Sequence, residues 1–455
     1  MSVSFFQDLI GSIAERGRAL VDRSSSRPAP AEPESLESLC RALLSGRGEA
    51  SGVALARQVL DAYGQAPMPA RLDFFRLLAR DFGPDQGRLR SAWAAYEAAP
   101  SPLTLQALLR AAEPPRQELF RRLNLAPGGT AALVAMRADL LKHGGDEPEL
   151  QSVDDDLFHL LGSWFNRGFL VLRHIDWSTP ADILERIIRY EAVHQIQGWD
   201  DLRRRVQPAD RRCFAFFHPS LVDEPLIFVE VALTRDVPGT IEELLAEDRA
   251  VLPAAEATTA VFYSISNCQP GLRGISFGHF LIKQVVEELS RDLPSLRTFV
   301  TLSPAPGFGR WLETVGRDPA AAGLAQVEAA ALASLQAGAW QRDPAAIERL
   351  RPSVLGLAAT YYLRAKTSSG RPLDPVARFH LGNGARLERL NWPGDSSPKG
   401  LREAAGLMVN YLYDLRFIEA NHEAFANHGT VAASSAVQRL LREPTPKPAA
   451  EPRHV

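Results

Sequence analysis

The sequence predicts an α+β protein in which an all-α helical bundle comes first and an α/β domain follows. From about residue 36 to residue 145, apolar side chains recur at every third or fourth position, which is the period of an amphipathic helix. Beyond residue 214, β-branched and aromatic runs of strand length replace that period. A chain of 455 residues corresponds to two or three domains of about 150 residues each. We therefore assign residues 1–150 to the bundle and residues 151–455 to the second domain.

Seven helical segments are predicted between residues 35 and 145, and most of them end at glycine or proline, where helices commonly stop. The loops between them are short, which favours a bundle. Phe74, Phe75 and Trp93 lie at helical spacing, so we expect all three in the core. The sequence shows no group of acidic or histidine residues on an inward face. The predicted role of this domain is therefore packing and assembly.

A β-α-β unit is predicted in the second domain. Its strand, glycine-bearing loop, helix and strand fall at residues 258–266, 267–274, 276–291 and 297–302. Two further strands are predicted upstream, at 214–217 and 226–233. The strands of such a unit are parallel, and ligands bind at their carboxyl ends.

The remaining segments have less specific patterns. The segment 154–176 is predicted to bridge the two domains, and an Ala-rich stretch at 319–366 is predicted to be helical. Two aromatic segments, 386–392 and 406–415, can either rejoin the sheet or pack as helices. Outside the domains we predict a short N-terminal helix, a Ser/Pro linker at 24–35 and a frayed tail at 443–455.

Charge and composition exclude several classes of protein. Lys and Arg total 51 against 54 Asp and Glu, and a net charge of -3 has the wrong sign for a protein whose main ligand is nucleic acid. No run approaches the roughly 20 apolar residues of a membrane-spanning helix. Cys40, Cys213 and Cys268 are widely spaced, which indicates a reducing compartment. We expect a cytoplasmic protein with neither nucleic acid nor a membrane as its partner.

The loop Gln269–Gly278 is the first candidate site. Gly271, Gly274 and Gly278 lie between a strand and a helix, where backbone N–H groups and the helix dipole favour an anion such as pyrophosphate. The spacing loosely matches the Q/R-x-x-G-x-G/A loop with which GNAT acetyltransferases bind coenzyme A. It is not a Walker A loop, because no Lys-Ser/Thr follows. The alternative is a glycine turn that only connects the strand to the helix.

Ser303 and His380 are the other candidates. Ser303 follows a predicted strand in the segment TLSPAPGF, and its alternative role is a hydroxyl cap of a turn. His380 precedes an Asn-Gly turn in RFHLGNGA, and a lone histidine with apolar neighbours can equally be a hydrogen-bonded core residue. His422 and His428 are too loosely spaced to be convincing ligands, so no metal site is predicted.

Four longer segments strongly resemble malonyl-CoA decarboxylases: FYSISNCQPGLRGISFGHFLIKQVVEEL, TLSPAPGFGRWL, PVARFHLGNGARLERLNWPGDSSPKG and GLMVNYLY. The resemblance runs in order from about Glu191 to Tyr413. It implies a helical N-terminal domain followed by a GNAT-like catalytic domain with a mixed central sheet. It also implies malonyl-CoA as substrate and acetyl-CoA as product. No metal or redox cofactor is implied, and the chain is expected to form a homo-oligomer, a dimer or tetramer, through its helical part.

The resemblance implies a role for nine residues. Ser303 and His380 correspond to the catalytic pair of the family. The malonyl-CoA loop of the family falls on Arg273, Gly274, Ile275, Ser276, Phe277, Gly278 and His279. The departures are Pro270 in the loop and the absence of the peroxisomal tripeptide of animal members.

Two other classes of function stay open at this stage. An acyltransferase would use the same loop but also needs an acceptor site with a carboxylate base, and Glu230, Asp223 and Glu224 have plausible structural roles instead. A CoA-sensing or scaffold protein would bind CoA without releasing CO₂. Incubation with malonyl-CoA alone separates these classes, because a transferase forms no acetyl-CoA without an acceptor.

Overall fold

The computed structural model describes residues 35–45, 48–165, 167–275, 281–318, 326–336 and 338–441. The predicted N-terminal helix, most of the linker and the tail lie outside these residues. The chain forms two compact units. The first extends to Val171 and includes residues 217–226 and 269–277, whereas the second contains 172–216, 227–268 and the chain from residue 278 onward.

Helices form the body of the first unit. In the described residues these are α1 (Leu36–Leu44), α2 (Glu49–Gln65), α3 (Met68–Asp81), α4 (Gln86–Ala98), α5 (Pro102–Ala112), α6 (Pro115–Leu123), α7 (Gly129–His143) and α8 (Pro148–Trp164). The first seven confirm the helices that the apolar period predicts. Their shared core contains Phe75, Leu119 and Phe120, all fully buried.

The helix α8 occupies part of the segment that we expected to be a bridge. Pro148 begins it, and its buried residues Leu150, Val153, Leu157 and Leu161 recur at helical spacing. Three consecutive aspartates, 154–156, interrupt that pattern in the sequence. Two of them pair with arginines of the bundle, so their charges are neutralised inside the unit.

Trp93 corrects a second expectation, because its side chain is 53% exposed, whereas Phe74 and Phe75 are buried as predicted. Trp93 lies on α4, none of whose residues is buried. This helix packs mainly against α5, whose only buried residue is Ala111. Helical spacing of apolar residues therefore does not by itself place them in the core of this unit.

A mixed sheet of eight strands lies mainly in the second unit. Its strands are β1 (Val171–Ile175), β2 (Arg211–His218), β3 (Leu221–Thr234), β4 (Thr259–Asn267), β5 (Thr298–Thr301), β6 (Ser303–Pro304), β7 (Arg386–Asn391) and β8 (Met408–Leu412). The order is β1-β2-β3-β4-β5-β8-β6, and β7 pairs with β8. The pair β4/β5 is parallel, whereas β3/β4, β5/β8, β6/β8 and β7/β8 are antiparallel.

The β-α-β unit is confirmed, with α12 (Leu281–Asp292) between β4 and β5. The two aromatic segments that could be strands or helices rejoin the sheet as β7 and β8. The other helices are α9 (Ala181–Tyr190), α10 (Trp199–Val206), α11 (Ile241–Leu245), α13 (Phe308–Arg317), α14 (Gln326–Gln336), α15 (Pro344–Leu363), α16 (Pro375–Gly382), α17 (Pro398–Ala404), α18 (Ile418–His428) and α19 (Ser435–Arg439). No helix in the described part of the chain has the length and apolar character to cross a bilayer.

Candidate active site

Ser303 lies where the parallel part of the sheet ends. The register of β4 with β5 runs from Thr259 and Thr298 to Phe262 and Thr301. Beyond it the chain pairs with the neighbouring strand on the other side, where Ser303 faces Val409 of β8. Ser303 is therefore at the carboxyl end of a parallel strand, as the sequence predicts, and its side chain is buried.

His380 lies in the last turn of α16, and this short helix fixes its position. Asp374 caps the helix, since its Oδ1 accepts a hydrogen bond of 2.8 Å from the N–H of Ala377. The same carboxylate accepts a bond of 3.2 Å from the hydroxyl of Tyr361. Proline at the first helical position, Pro375, suits this start because its missing N–H would have no partner in the helix. His380 itself is buried.

The fold brings Ser303 and His380 into contact, although 77 positions separate them in the sequence. The Oγ of Ser303 lies 3.1 Å from Nε2 of His380. The other ring nitrogen, Nδ1, lies 2.8 Å from the hydroxyl of Tyr413. Both imidazole nitrogens therefore have a hydroxyl partner, and the ring is held at two points.

A hydroxyl chain gives this contact a direction. The hydroxyl of Ser303 donates to Oγ1 of Thr301 at 2.9 Å, and Thr301 in turn donates to the carbonyl of Val409. Because the hydrogen of Ser303 is used in this way, its oxygen accepts from Nε2–H of His380. Nδ1 then carries no hydrogen and accepts from Tyr413. The network therefore assigns the tautomer with its proton on Nε2.

Burial keeps the side chains of His380 and Tyr413 uncharged. It lowers the pKa of His380 to about 3, so the imidazole is neutral at pH 7. It also raises the pKa of Tyr413 well above its ordinary value, so the phenol is protonated in the resting enzyme. The site thus contains neutral donors and acceptors.

Three residues of this site, Thr301, Tyr411 and Tyr413, were not singled out from the sequence. The ring of Tyr411 stacks on His380 with centroids 4.6 Å apart. A signal for them does exist, because Thr301 and Ser303 are two positions apart, as are Tyr411 and Tyr413. On a strand that spacing places both members on one face. Recognising it requires knowing that β5 and β8 are neighbours.

The glycine loop is described in part. Residues Pro270–Leu272 form a short 3-10 helix, followed by Arg273, Gly274 and Ile275. Gly274 has φ +85, a conformation that favours glycine, and a Cβ on Gly271 would lie 1.9 Å from the carbonyl oxygen of Val134. Both glycines are therefore required by the backbone. The other predicted loop residues, Ser276, Phe277, Gly278 and His279, lie outside the described residues.

We find no metal-binding group in the ranges that the structure describes, since no three His, Cys, Asp or Glu side chains come close enough to share an ion. His422, which the sequence analysis set aside as a ligand, lies with Nδ1 2.7 Å from the carbonyl oxygen of Gly382.

Comparison with known proteins gives a consistent result over the whole described chain. The model of the malonyl-CoA decarboxylase C-terminal domain matches residues 168–451, and the model of the N-terminal domain matches residues 82–165. Mitochondrial malonyl-CoA decarboxylase of Anser anser anser is 34% identical, with 96% of this chain and 92% of the relative covered. The Mus musculus protein of that name is 35% identical, with 84% and 83% covered.

Solved structures of two bacterial proteins are also similar. The crystal structure of malonyl-CoA decarboxylase from Rhodopseudomonas palustris has a TM-score of 0.87 and 59% identity, with 90% of this chain and 100% of the other covered. For malonyl-CoA decarboxylase from Agrobacterium vitis the TM-score is 0.85 and the identity 56%, with the same coverage.

Proposed function

The chain belongs to the malonyl-CoA decarboxylase family, and from that premise we propose a mechanism in which Ser303 and His380 act together on the malonyl group. The enzyme is a carboxy-lyase that converts malonyl-CoA to acetyl-CoA and CO₂. The observation that carries the mechanism is the 3.1 Å contact between two buried, uncharged side chains at the end of a parallel strand.

The barrier to this reaction is the charge that develops when CO₂ leaves. The bond between the carboxylate carbon and the α-carbon breaks, and its electron pair stays on the α-carbon and spreads to the thioester oxygen as an enolate. A preorganised donor at that oxygen typically supplies about 3–4 kcal/mol of transition-state stabilisation. Ser303 becomes such a donor when its hydroxyl turns from Oγ1 of Thr301 toward the bound substrate, and we assign it to the thioester oxygen or to the malonyl carboxylate.

An uncharged partner suits the malonyl carboxylate. A cation there would bind the substrate more tightly than the transition state, in which this charge is being lost, and would slow the reaction. The hydroxyl of Ser303 orients the carboxylate without that penalty. It can hold the carboxylate out of the thioester plane, so that the breaking bond overlaps with the carbonyl group.

His380 is the proposed proton donor to the α-carbon. Its Nε2 carries the proton, and a positioned general acid of this kind contributes about 10²–10⁴-fold. A neutral imidazole that gave up Nε2–H alone would become an anion. Because Nδ1 lies 2.8 Å from the Tyr413 hydroxyl, Nδ1 can take the phenolic proton of Tyr413 as Nε2–H leaves. Solvent then restores the phenol, and the sum is one proton consumed for each CO₂ released.

The loop from Arg273 to His279 is the proposed site for the pyrophosphate of the CoA moiety. The N–H groups of Arg273 and Ile275 already donate to the carbonyls of Pro270 and Leu272. We therefore assign the anion to the N–H of Gly274 and to those of the residues that follow it, Ser276 to His279. Backbone donors suit a protein whose net charge of -3 does not attract polyanions.

The function is tested with the purified protein and malonyl-CoA alone. We expect acetyl-CoA and CO₂ in equal amounts, one proton taken up for each, and the same rate after treatment with a chelator, since the proposed route uses only side chains of this chain. Mass spectrometry of the thioesters and a pH-stat purged with nitrogen measure these quantities, since the purge removes CO₂ before its hydration returns a proton. Consumption of malonyl-CoA only after an amine acceptor is added would favour an acyltransferase, and tight CoA binding without CO₂ would favour a sensor.

Self-association through the helical unit is a further part of the proposal. The α4–α5 hairpin exposes large apolar side chains, with Trp93 53%, Leu103 78% and Leu109 64% exposed. Large apolar side chains that stay exposed on two adjacent helices commonly mark a protein contact. We assign it to a second copy of the chain.

Light scattering on a hairpin variant tests this assignment. Trp93→Gln combined with Leu103→Gln is expected to reduce the oligomer to a smaller species at micromolar concentration. Leu125→Gln, at a leucine outside this hairpin that is 61% exposed, serves as the control and should leave the assembly intact. A wild-type protein that is monomeric at this concentration would contradict the proposal.

We also propose a reducing compartment, with the cytoplasm as the expected location. All three cysteines are described and buried, and none of them is in a disulfide.

A further inference from the structure

The start of the glycine loop is held by a buried arginine of the helical bundle. Arg137 lies on α7, and its Nη1 donates to the carbonyl oxygens of Gly271 at 2.7 Å and Arg273 at 3.0 Å. These partners are more than 130 positions away in the sequence but belong to the same compact unit. We propose that Arg137 is a positioning residue for the CoA thioester, acting through the backbone of this loop. The inference rests on the proposed role of the loop.

The guanidinium of Arg137 is itself fixed by α8. Its Nε and Nη2 donate to the two carboxylate oxygens of Asp154, at 2.7 and 3.4 Å. The ring of Phe158, one turn further along α8, lies 5.3 Å from the guanidinium carbon. Since Asp154 neutralises the charge of Arg137, the pair adds little to the electric field at the loop. Its effect on an anion must come from geometry.

The geometry follows from the planarity of the peptide group. The carbonyl of Arg273 and the N–H of Gly274 belong to one planar trans peptide, so they point in opposite directions. With the carbonyl directed at Arg137, the N–H of Gly274 is directed away from the Arg137 guanidinium. This is the N–H that we assign to the anion, because those of Arg273 and Ile275 donate within the turn. Arg137 thereby determines the direction of a proposed ligand group that it does not touch.

Close packing allows the loop little freedom to find another path. A Cβ on Gly271 would collide with the carbonyl of Val134, one turn before Arg137, and a Cβ on Gly274 would lie 3.3 Å from the ring of Phe158. Leu272 is fully buried. The first half of the loop is therefore seated on α7 and α8, and the helical bundle takes part in substrate binding as well as in assembly.

The bundle contains a matched control, Arg116. It is also buried and pairs with an aspartate of α8, Asp156. Its other side-chain partners are the carbonyls of Leu78 and Ser152, both within the helices. Removing either guanidinium breaks a buried ion pair on α8 and should lower the stability of the unit. Only the loss of Arg137 also releases the loop.

The test compares Arg137→Met with Arg116→Met in the full-length enzyme. Methionine keeps much of the apolar stem and removes every donor. We expect both variants to have a lower Tm, and only Arg137→Met to raise KM for malonyl-CoA and Kd for CoA, by about tenfold or more, with kcat nearly unchanged. Arg137→Lys, which keeps the charge and can reach one carbonyl, should recover part of the affinity. If KM rises equally in both methionine variants, or in neither, the inference is wrong.

Two further variants decide the test if Arg137→Met does not fold or if the loop itself has been assigned wrongly. If Arg137→Met does not fold, the double change of Arg137→Met with Asp154→Asn replaces it, because this variant leaves no unpaired charge beside the loop, and a KM equal to the wild-type value would overturn the inference. Gly274→Ala tests the loop itself through its positive φ. If KM rises in Gly274→Ala but stays normal in the Arg137 variants, the role of Arg137 is rejected and the assignment of the loop stands. A normal KM in both rejects the assignment of the loop, whereas CO₂ release tests the decarboxylase activity separately.

Discussion

Replacing His380 with glutamine is expected to lower kcat for acetyl-CoA formation by about 10²- to 10⁴-fold with little change in KM. Glutamine keeps a polar group near Ser303 but cannot transfer a proton to the α-carbon. Steady-state kinetics with malonyl-CoA measure the effect. Because burial lowers the pKa of His380 to about 3, the wild-type kcat should also show no inflection from this residue between about pH 5 and pH 8.

Tyr413→Phe tests the proposed transfer of a proton from the Tyr413 hydroxyl to Nδ1 of His380. The variant keeps the buried ring and removes the hydroxyl that donates to Nδ1. We expect kcat to fall by about 10²-fold or more, since Nδ1 has no proton source and His380 would become an anion on giving up Nε2–H. Tyr263→Phe is the control, because its hydroxyl is equally buried and has no hydrogen-bond partner among the described residues.

A His380→Gln enzyme with near-normal kcat and intact CoA binding would show that another group protonates the enolate.

Replacing Ser303 with alanine is expected to lower kcat by about 10²- to 10³-fold, the usual effect of removing one donor to a developing oxyanion. Stability should fall as well. The Nε2–H of His380 and the Oγ1 of Thr301 both lose Ser303 as a buried partner, and an unsatisfied buried polar group costs about 1–3 kcal/mol. Kinetics and urea unfolding measure the two effects on the same preparation.

A second hydroxyl deletion separates stability from catalysis. The hydroxyl of Thr130, in the helical unit, donates to the side chain of Asn124 at 2.7 Å. Thr130→Val should therefore lower the free energy of unfolding while kcat stays at the wild-type value. If Ser303→Ala loses stability but keeps kcat within about threefold of wild type, Ser303 is structural, and the oxyanion role is wrong.

Much of the fold follows from local sequence patterns. The seven helices of the bundle, the strand at Thr259–Asn267 and the β-α-β unit depend on apolar periodicity and on glycine and proline at element ends. The positions of Ser303 and of the two loop glycines follow from the same patterns, because strand ends and tight turns leave local signals. The identities of the motifs around them were specific enough to indicate the family.

Local patterns failed to predict the surroundings of a helix, because a buried helix and an exposed one can have the same apolar period. Trp93 has the spacing of a core residue, but its helix packs mainly on another exposed helix. The segment from residue 154 was expected to bridge the two domains, yet its first part continues α8, and two of its aspartates pair with buried arginines. In both cases the outcome depends on what lies opposite the helix, and a helical period carries no information about that.

The sequence by itself determined the elements, the loop glycines and the two candidate side chains. Only the tertiary structure decided that Ser303 and His380 meet, that Tyr413 and Thr301 set the tautomer between them, and that Arg137 holds the loop. The reason is physical. Propensity and periodicity act over a few neighbouring residues, whereas the direction of a hydrogen bond depends on atoms from elements that lie far apart in the chain and meet only when the core is packed.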